Sequence, residues 1–314
     1  LSVCLREVIL LRVVFVDANE TLAAVAERVV QLEGLEFSIN RDPGIKPDSL
    51  PELLKGASVA IIDHTALSRE IAEKCTDLRH VVFLGTGARS YMNPEELQAI
   101  GITVHTIKGY GDTAVAEFAI SLMWAAAKGL ATMDRGIREG RWLRTNGLQL
   151  TGKTLGLVGF GGIATECSRL ALGIGMKVVA WNRTPRSHPG VDFLDVPDLL
   201  AQSDVVSLHL LLTDETRGFM SRERLKAMKP GAILVNTARG ALIDDEALIE
   251  ALTHGPLAHA AMDVFDTEPL PAGHPFTRLE NVTLSAHSAF RTPEASDNLL
   301  AAARDHCRRI MAAS

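Results

Sequence analysis

From Val13 onward, short apolar runs alternate with longer stretches in which apolar and polar positions recur at helical spacing. The runs VVFVD (13–17), VAII (59–62), HVVFL (80–84) and ITVHT (102–106) are brief and rich in Val and Ile, the pattern of strands buried on both faces. Between the first two, ETLAAVAERVVQLEG (20–34) has helical spacing and predicts a helix stopped by Gly34. Residues 111–142, which include DTAVAEFAISLMWAAAKG, predict one helix longer than the ordinary globular helix. Such a helix would bridge domains or pack against a second subunit, and its apolar stripe VAEFAISLMWAAA serves equally as intrachain core.

A second series begins at Lys153. TLGLVGF, KVVAW, DVVSLHL, AILVNTA, AHAAMDVF and NVTLSAH are strand candidates separated by helical segments or loops. That alternation predicts a doubly wound parallel sheet with helices on both faces, of the kind that binds dinucleotides. The last stretch, TPEASDNLLAAARDHCRRIMAA, reads as a helix returning to the first block. The fold expected is α/β, with two Rossmann-like domains and doubly wound parallel sheets. A flavodoxin-like substrate domain of residues 11–105 and 288–314 would be interrupted by a dinucleotide-binding domain of residues 106–287, with the cleft between them.

Composition narrows the function. The chain has 314 residues, 47% of them apolar, which is enough for two packed domains. Its formal net charge of −6 has no basic block, which argues against nucleic acid as a partner. Cys4, Cys75, Cys167 and Cys307 form no Cys-x-x-Cys pair, so structural zinc is not expected and reduced thiols in a cytoplasm are. The opening residues are apolar but broken by Arg6, Glu7 and Arg12, short of the run of about 18 apolar residues that a membrane helix needs. They lack a signal-peptide cleavage pattern and read as an extension before the first strand.

The first chemical motif is Gly159-x-Gly161-x-x-Ala164, directly after a strand and at the start of a helix. Gly159 permits a tight turn, Gly161 lets the backbone approach a pyrophosphate, and Ala164 allows close helix–strand packing. Gly162 and Ile163 complete this loop as cofactor-binding candidates. A merely structural glycine turn is the bland alternative, but strand, loop, helix and next strand stand in the required order. Three strands downstream end in reactive groups: Arg239 after AILVNTA, Glu268 after AHAAMDVF and His287 at the close of NVTLSAH. An Arg binds a carboxylate with its planar fork, a His moves a proton near neutral pH, and a Glu beside it orients the ring and favours its protonated form. Singly these could be a loop arginine, a turn residue and a core histidine; on neighbouring strand ends they form a constellation. Thr237 and Ala238, just before Arg239, are further cofactor candidates. The other histidines show no ligand spacing, so no metal is expected, and His209, within a strand, reads as core.

At these residues the chain resembles the D-isomer-specific 2-hydroxyacid dehydrogenases, from about Leu11 and most densely over residues 150–295. GKTLGLVGFGGIA, SDVVSLHLLLTDETRGFMSRERLKAMKPGAILVNTARGALIDDEALIEAL and AAMDVFDTEPLP carry the likeness. The resemblance implies NAD(P)-dependent interconversion of a 2-oxo acid and a D-2-hydroxy acid. It implies Arg239 on the substrate carboxylate, His287 as acid–base, Glu268 as its partner and Asp263 on the nicotinamide carboxamide. FLGTGARSYM resembles the family loop whose backbone amides help to grip the carboxylate, near Thr86 and Gly87. A homodimer and a glyoxylate- or hydroxypyruvate-type substrate are also implied. Two departures stand out: Ala164 replaces the third glycine, and Leu211 stands where the family often has proline.

The turn after KVVAW bears on which nucleotide binds. About twenty residues beyond the glycine loop an NAD site carries an acidic residue for the ribose hydroxyls. This chain has Asn182, Arg183 and Thr184, with Arg186 beyond. Asn182 removes repulsion of a 2′-phosphate, Arg183 offers a fork suited to it and Thr184 a hydroxyl, so NADP is preferred over the alternative, NAD. Two rivals remain: a nucleotide-sensing regulator without turnover, and a dehydrogenase of formate or phosphite on the same scaffold.

Overall fold

The computed structural model describes residues 11–313; the opening residues with Cys4, and Ser314, lie outside them. The chain forms two compact units. One runs up to Gly111 and resumes at Thr292; the other is Asp112–Arg291. The seams therefore fall a few residues beyond 105/106 and 287/288.

The first unit is a five-stranded parallel sheet: β1 Leu11–Phe15, β2 Leu35–Ile39, β3 Val59–Ile62, β4 His80–Phe83 and β5 Thr103–Thr106. Its order is β2-β1-β3-β4-β5, the flavodoxin-like arrangement. Side chains alternate across β1: Val13 and Phe15 pack on one face with Leu299, Leu300, Ala303 and Cys307 of the final helix Pro293–Ala313. Val14 packs on the other face with Ile62, Val81 and Phe83. Both faces are covered, which is why β1, β3 and β4 read as unbroken apolar runs, whereas β5, at the sheet edge, is only half-buried. At the carboxyl ends of β1 and β3, the fully buried Asp17 accepts from the N–H groups of Asp63, His64 and Thr65 and from the Thr65 hydroxyl, at 2.7–2.8 Å. The hydrogen bond with Asp63, and then the Pro43 carbonyl and the charge of Asp17, outweigh burial and raise the His64 pKa to about 9.

Two expectations fail in this unit. The helix starting at Glu20, capped by the Asn19 side chain, ends at Val29 rather than at Gly34. Gly34 instead takes a φ of +79° immediately before β2. That strand escaped the sequence reading because it lies at a sheet edge and shows alternate residues to solvent, so LEFSI looks half polar.

The second unit is a seven-stranded parallel sheet: β6 Thr154–Val158, β7 Lys177–Trp181, β8 Val191–Phe193, β9 Val205–Leu208, β10 Ala232–Asn236, β11 Leu257–Met262 and β12 Val282–Leu284. The order β12-β11-β10-β9-β6-β7-β8 reverses direction between β6 and β9, which is the doubly wound dinucleotide pattern. The three-residue edge strand β8 was not expected. The predicted long helix is two, Asp112–Lys128 and Leu130–Arg138, bent by 65°. Gly129 makes the break at φ +62°, and a Cβ there would meet Thr145 Oγ1 at 2.9 Å. An isolated glycine in an alanine-rich run gave little warning of it. Ala116, Ala119, Ile120, Leu122, Met123, Ala126 and Ala127 of the first helix are buried, so most of its apolar stripe is core of this unit. Among the described residues no single helix is long and apolar enough to cross a membrane.

Candidate active site

The glycine loop follows β6. Gly159 has φ +90°, and a Cβ on it would lie 2.7 Å from the His209 carbonyl oxygen, so only glycine lets β6 turn this close to the end of β9. Gly161 caps the helix Gly162–Gly173, and a Cβ on it would meet nothing within 4 Å. Gly161 and Gly162 are exposed, Ile163 is half-buried, and Ala164 is fully buried against the core. A Cβ on Gly162 would collide with the Asp112 carboxylate, a second reason for glycine in this loop. The first N–H groups of the helix have no partner within it and favour an anion.

Asn182 is committed locally. Its Oδ1 accepts from the Phe160 N–H at 3.1 Å and its Nδ2 donates to the Thr184 carbonyl at 2.7 Å, tying the glycine loop to the turn after β7. Arg183 and Thr184 are exposed on that turn. Leu211 is 65% exposed.

The carboxyl ends of β10, β11 and β12, neighbours in the sheet, carry the three charged candidates. At the end of β10, Asn236 is fully buried; its Nδ2 donates to the Arg239 carbonyl at 2.9 Å and its Oδ1 accepts from the Ala238 N–H at 3.0 Å. This closes a tight loop that presents Arg239, half-buried, with one guanidinium N–H on the Ala238 carbonyl at 2.7 Å. The Thr237 hydroxyl is buried without a hydrogen-bond partner among the described residues. Such an atom costs free energy unless a ligand supplies the partner. With the open space over Gly161, it fits a dinucleotide lying across the carboxyl ends of the strands.

After β11, Glu268 Oε1 accepts from the Phe265 N–H at 2.8 Å, which leaves Oε2 to meet His287 Nδ1 at 2.6 Å. The two side chains are about one-third exposed. His287 follows β12 at φ +47°, the left-handed region, which costs a side-chain-bearing residue about 1–3 kcal/mol. Its ring stands edge-on to Phe290, with centroids 6.0 Å apart. Asp263 has no exposed surface, and its carboxylate accepts from the Ser285 hydroxyl and from the N–H groups of Ser288 and Ala289. Sequence reading missed Asn236 and Gly240. A Cβ on Gly240 would run into the backbone of Phe265 and Asp266, so the loops bearing Arg239 and Glu268 touch backbone to backbone. An Arg-Gly pair at a strand end was the signal for Gly240; Asn236 gave none.

Thr86 and Gly87 lie in the first unit after β4, where Gly85 turns the chain at φ +152°. Thr86 is exposed, and Gly87 opens the short turn Ala88–Ser90. His209 is buried, and burial lowers its pKa to about 4. Burial does the same to His259, whose Nε2 meets the Thr283 hydroxyl at 2.9 Å. Among the described residues no three His, Cys, Asp or Glu side chains are grouped to hold a metal ion.

A glyoxylate reductase of Aeropyrum pernix is 40% identical over 226 residues, 65% of this chain and 68% of that one. A hydroxypyruvate reductase of Thermotoga maritima is 35% identical over 258 residues, 80% of this chain and 84% of that one. The crystal structure of a Thermus thermophilus protein superposes with a TM-score of 0.85 at 34% identity, covering 96% of this chain and 97% of that one. Residues 120–289 match the family model described as D-isomer specific 2-hydroxyacid dehydrogenase, NAD binding domain. The chain therefore belongs to the D-isomer specific 2-hydroxyacid dehydrogenases.

Proposed function

We propose that the protein reduces a small 2-oxo acid to its D-2-hydroxy acid, with His287 as proton donor, Glu268 as the partner of His287 and Arg239 as the carboxylate anchor. The observation that carries this reading is the 2.6 Å contact of His287 Nδ1 with Glu268 Oε2, at the carboxyl ends of the neighbouring strands β11 and β12, beside the strand end from which the Arg239 loop starts. A carboxylate accepts, so Nδ1 holds its proton. Nε2 is then the atom that gives a proton to the developing alkoxide during reduction and takes it back during oxidation. The Arg239 guanidinium binds the carboxylate with its fork and stabilises charge growing on the neighbouring carbonyl oxygen. The nicotinamide, when bound, supplies the hydride.

Gly159, Gly161, Gly162 and Ile163 would hold the pyrophosphate, and Thr237 and Ala238 the cofactor beyond it. NADP over NAD is supported by the absence of an acidic residue at Asn182 and by the exposed Arg183 and Thr184 beside it. In this reading the unit of β6–β12 binds the nucleotide and the first unit, through Thr86 and Gly87, contributes to substrate binding. The names of the Aeropyrum and Thermotoga relatives support glyoxylate or hydroxypyruvate as the substrate. Trp124, Leu130, Ile137 and Trp142, exposed along the two bent helices and beyond, are where a second copy would form a homodimer. The buried free thiols of Cys75, Cys167 and Cys307 suit the cytoplasm, with neither nucleic acid nor membrane as partner.

The test is His287→Ala, assayed at the nicotinamide absorbance band with glyoxylate, hydroxypyruvate, pyruvate and phenylpyruvate and either nucleotide. Turnover should fall by about 10²–10⁴-fold. Unchanged turnover refutes the assignment, and a nucleotide sensor would bind NADPH yet reduce none of the four acids.

A further inference from the structure

The resemblance assigns Asp263 to the nicotinamide carboxamide, and in the structure its carboxylate also gathers three donors from the segment that carries His287. Its Oδ1 accepts from the Ser285 hydroxyl at 2.6 Å and the Ser288 N–H at 3.0 Å, and its Oδ2 from the Ala289 N–H at 2.9 Å. Its carbonyl accepts from the His287 N–H at 2.7 Å, and its own N–H donates to the Asn236 carbonyl at 3.0 Å. No part of Asp263 is exposed. Every residue from Ser285 to Ala289 except Ala286 is thus fastened to Asp263 by at least one hydrogen bond. In the middle of them stands His287, which alone among the described non-glycine residues has a positive φ. A backbone in that region persists only where its surroundings over-determine it.

We infer that Asp263 is a positioning residue that acts through His287. It clamps residues 285–289 into the turn that brings the imidazole onto Glu268. The inference rests on the proposed role of His287 in proton transfer. Asp263 also joins the carbonyl of Asn236, which shapes the Arg239 loop, so it references the proton donor and the carboxylate anchor to one point. Asp263→Asn keeps the shape but turns one acceptor into a donor facing an N–H or O–H that already donates.

The experiment compares wild type, Asp263→Asn, His287→Ala and the double variant, with kcat read on the fastest of the four 2-oxo acids. NADPH Kd is measured separately by fluorescence titration. Asp263→Asn should lower kcat by about 10²-fold, the effect of misplacing a reacting group by about an ångström, while NADPH Kd stays near the wild-type value. The double variant should be no slower than His287→Ala alone, because a residue acting only through His287 has nothing left to act on. Multiplying losses, or a weaker NADPH Kd at unchanged kcat, would overturn the inference, and the second result would leave Asp263 with the carboxamide role alone. Ser285→Ala removes a single donor and covers the case in which Asp263→Asn does not fold. It should lower kcat less than Asp263→Asn does, and a wild-type kcat there counts against the clamp. If His287→Ala itself keeps full activity, the proton-transfer reading fails first, and that failure is distinct from either of these.

Discussion

The glycines at 159 and 161 look alike in the sequence but do different jobs, and alanine at each should separate them. At Gly159, φ is +90° and an added Cβ would lie 2.7 Å from the His209 carbonyl oxygen and 2.9 Å from its carbonyl carbon. The left-handed backbone costs an alanine about 1–2 kcal/mol, and pushing back a buried main chain adds about 1–3 kcal/mol. The sum, about 2–5 kcal/mol, is a large share of the roughly 5–15 kcal/mol that holds a domain together. For a unit of this size it lowers Tm by roughly 4–20 °C. At Gly161, φ is −106° and nothing lies within 4 Å of an added Cβ, so alanine leaves the fold alone. Its methyl group would instead stand where the backbone must approach the pyrophosphate, weakening NADPH at least about tenfold, or about 1.4 kcal/mol. Thermal unfolding by circular dichroism and NADPH fluorescence titration of both variants give the two readouts. A Gly161→Ala protein that binds NADPH as wild type does, or a Gly159→Ala protein that melts with it, would refute the reasoning.

Three further outcomes follow from geometry already described. Arg183→Ala should weaken NADPH about 10-fold or more, the scale of one lost charge-assisted hydrogen bond, with NADH little changed; equal losses count against an NADP site. Asp17→Asn cannot satisfy the three N–H groups and the hydroxyl that converge on Asp17, and should cost about 3 kcal/mol in urea unfolding of the first unit, with an unshifted midpoint as the contrary result. Stability should also fall on both sides of neutrality, as urea midpoints across pH would show. Burial holds His209 and His259 near pKa 4, so the unfolded chain binds more protons below its ordinary value of about 6.5, and stability is lost as pH drops from there towards 4. The pKa of His64 is instead raised to about 9, so its contribution is complete below about 6.5 and disappears as pH climbs through 9. His259→Gln should flatten the acid limb, and an unchanged slope would contradict the assignment.

What could be read from the sequence, and what could not, has a physical basis. Strands covered on both faces announce themselves as apolar runs; with the edge strands β5 and β12, whose Val and Ile content still marked them, ten of the twelve described strands were legible. The missing two, β2 and β8, are edge strands. Glycine loop, Arg239, Glu268 and His287 were legible because a parallel sheet delivers its carboxyl ends to one place, so order along the chain predicts proximity. The hydrogen-bond partners that aim these groups were not. Asp263 reaches Ser288 and Ala289 across more than twenty positions, and Asn236 bonds around its own turn. Nothing in residue type or spacing marks such pairings. The break at Gly129 depended on a contact with Thr145, equally invisible along the chain.

The backbone contact at Gly240 has a consequence for how such an enzyme can diversify. Because no side chain fits between the Arg239 loop and the backbone of Phe265 and Asp266, any substitution of Gly240 would force the two loops apart, and their spacing is tied to that glycine. Under the proposed mechanism Arg239, Glu268 and, through its contact with Glu268, His287 form one rigid cassette facing the carboxylate of a 2-oxo acid. Variation in substrate size must then be written in residues outside the cassette, leaving the chemistry constant while specificity evolves.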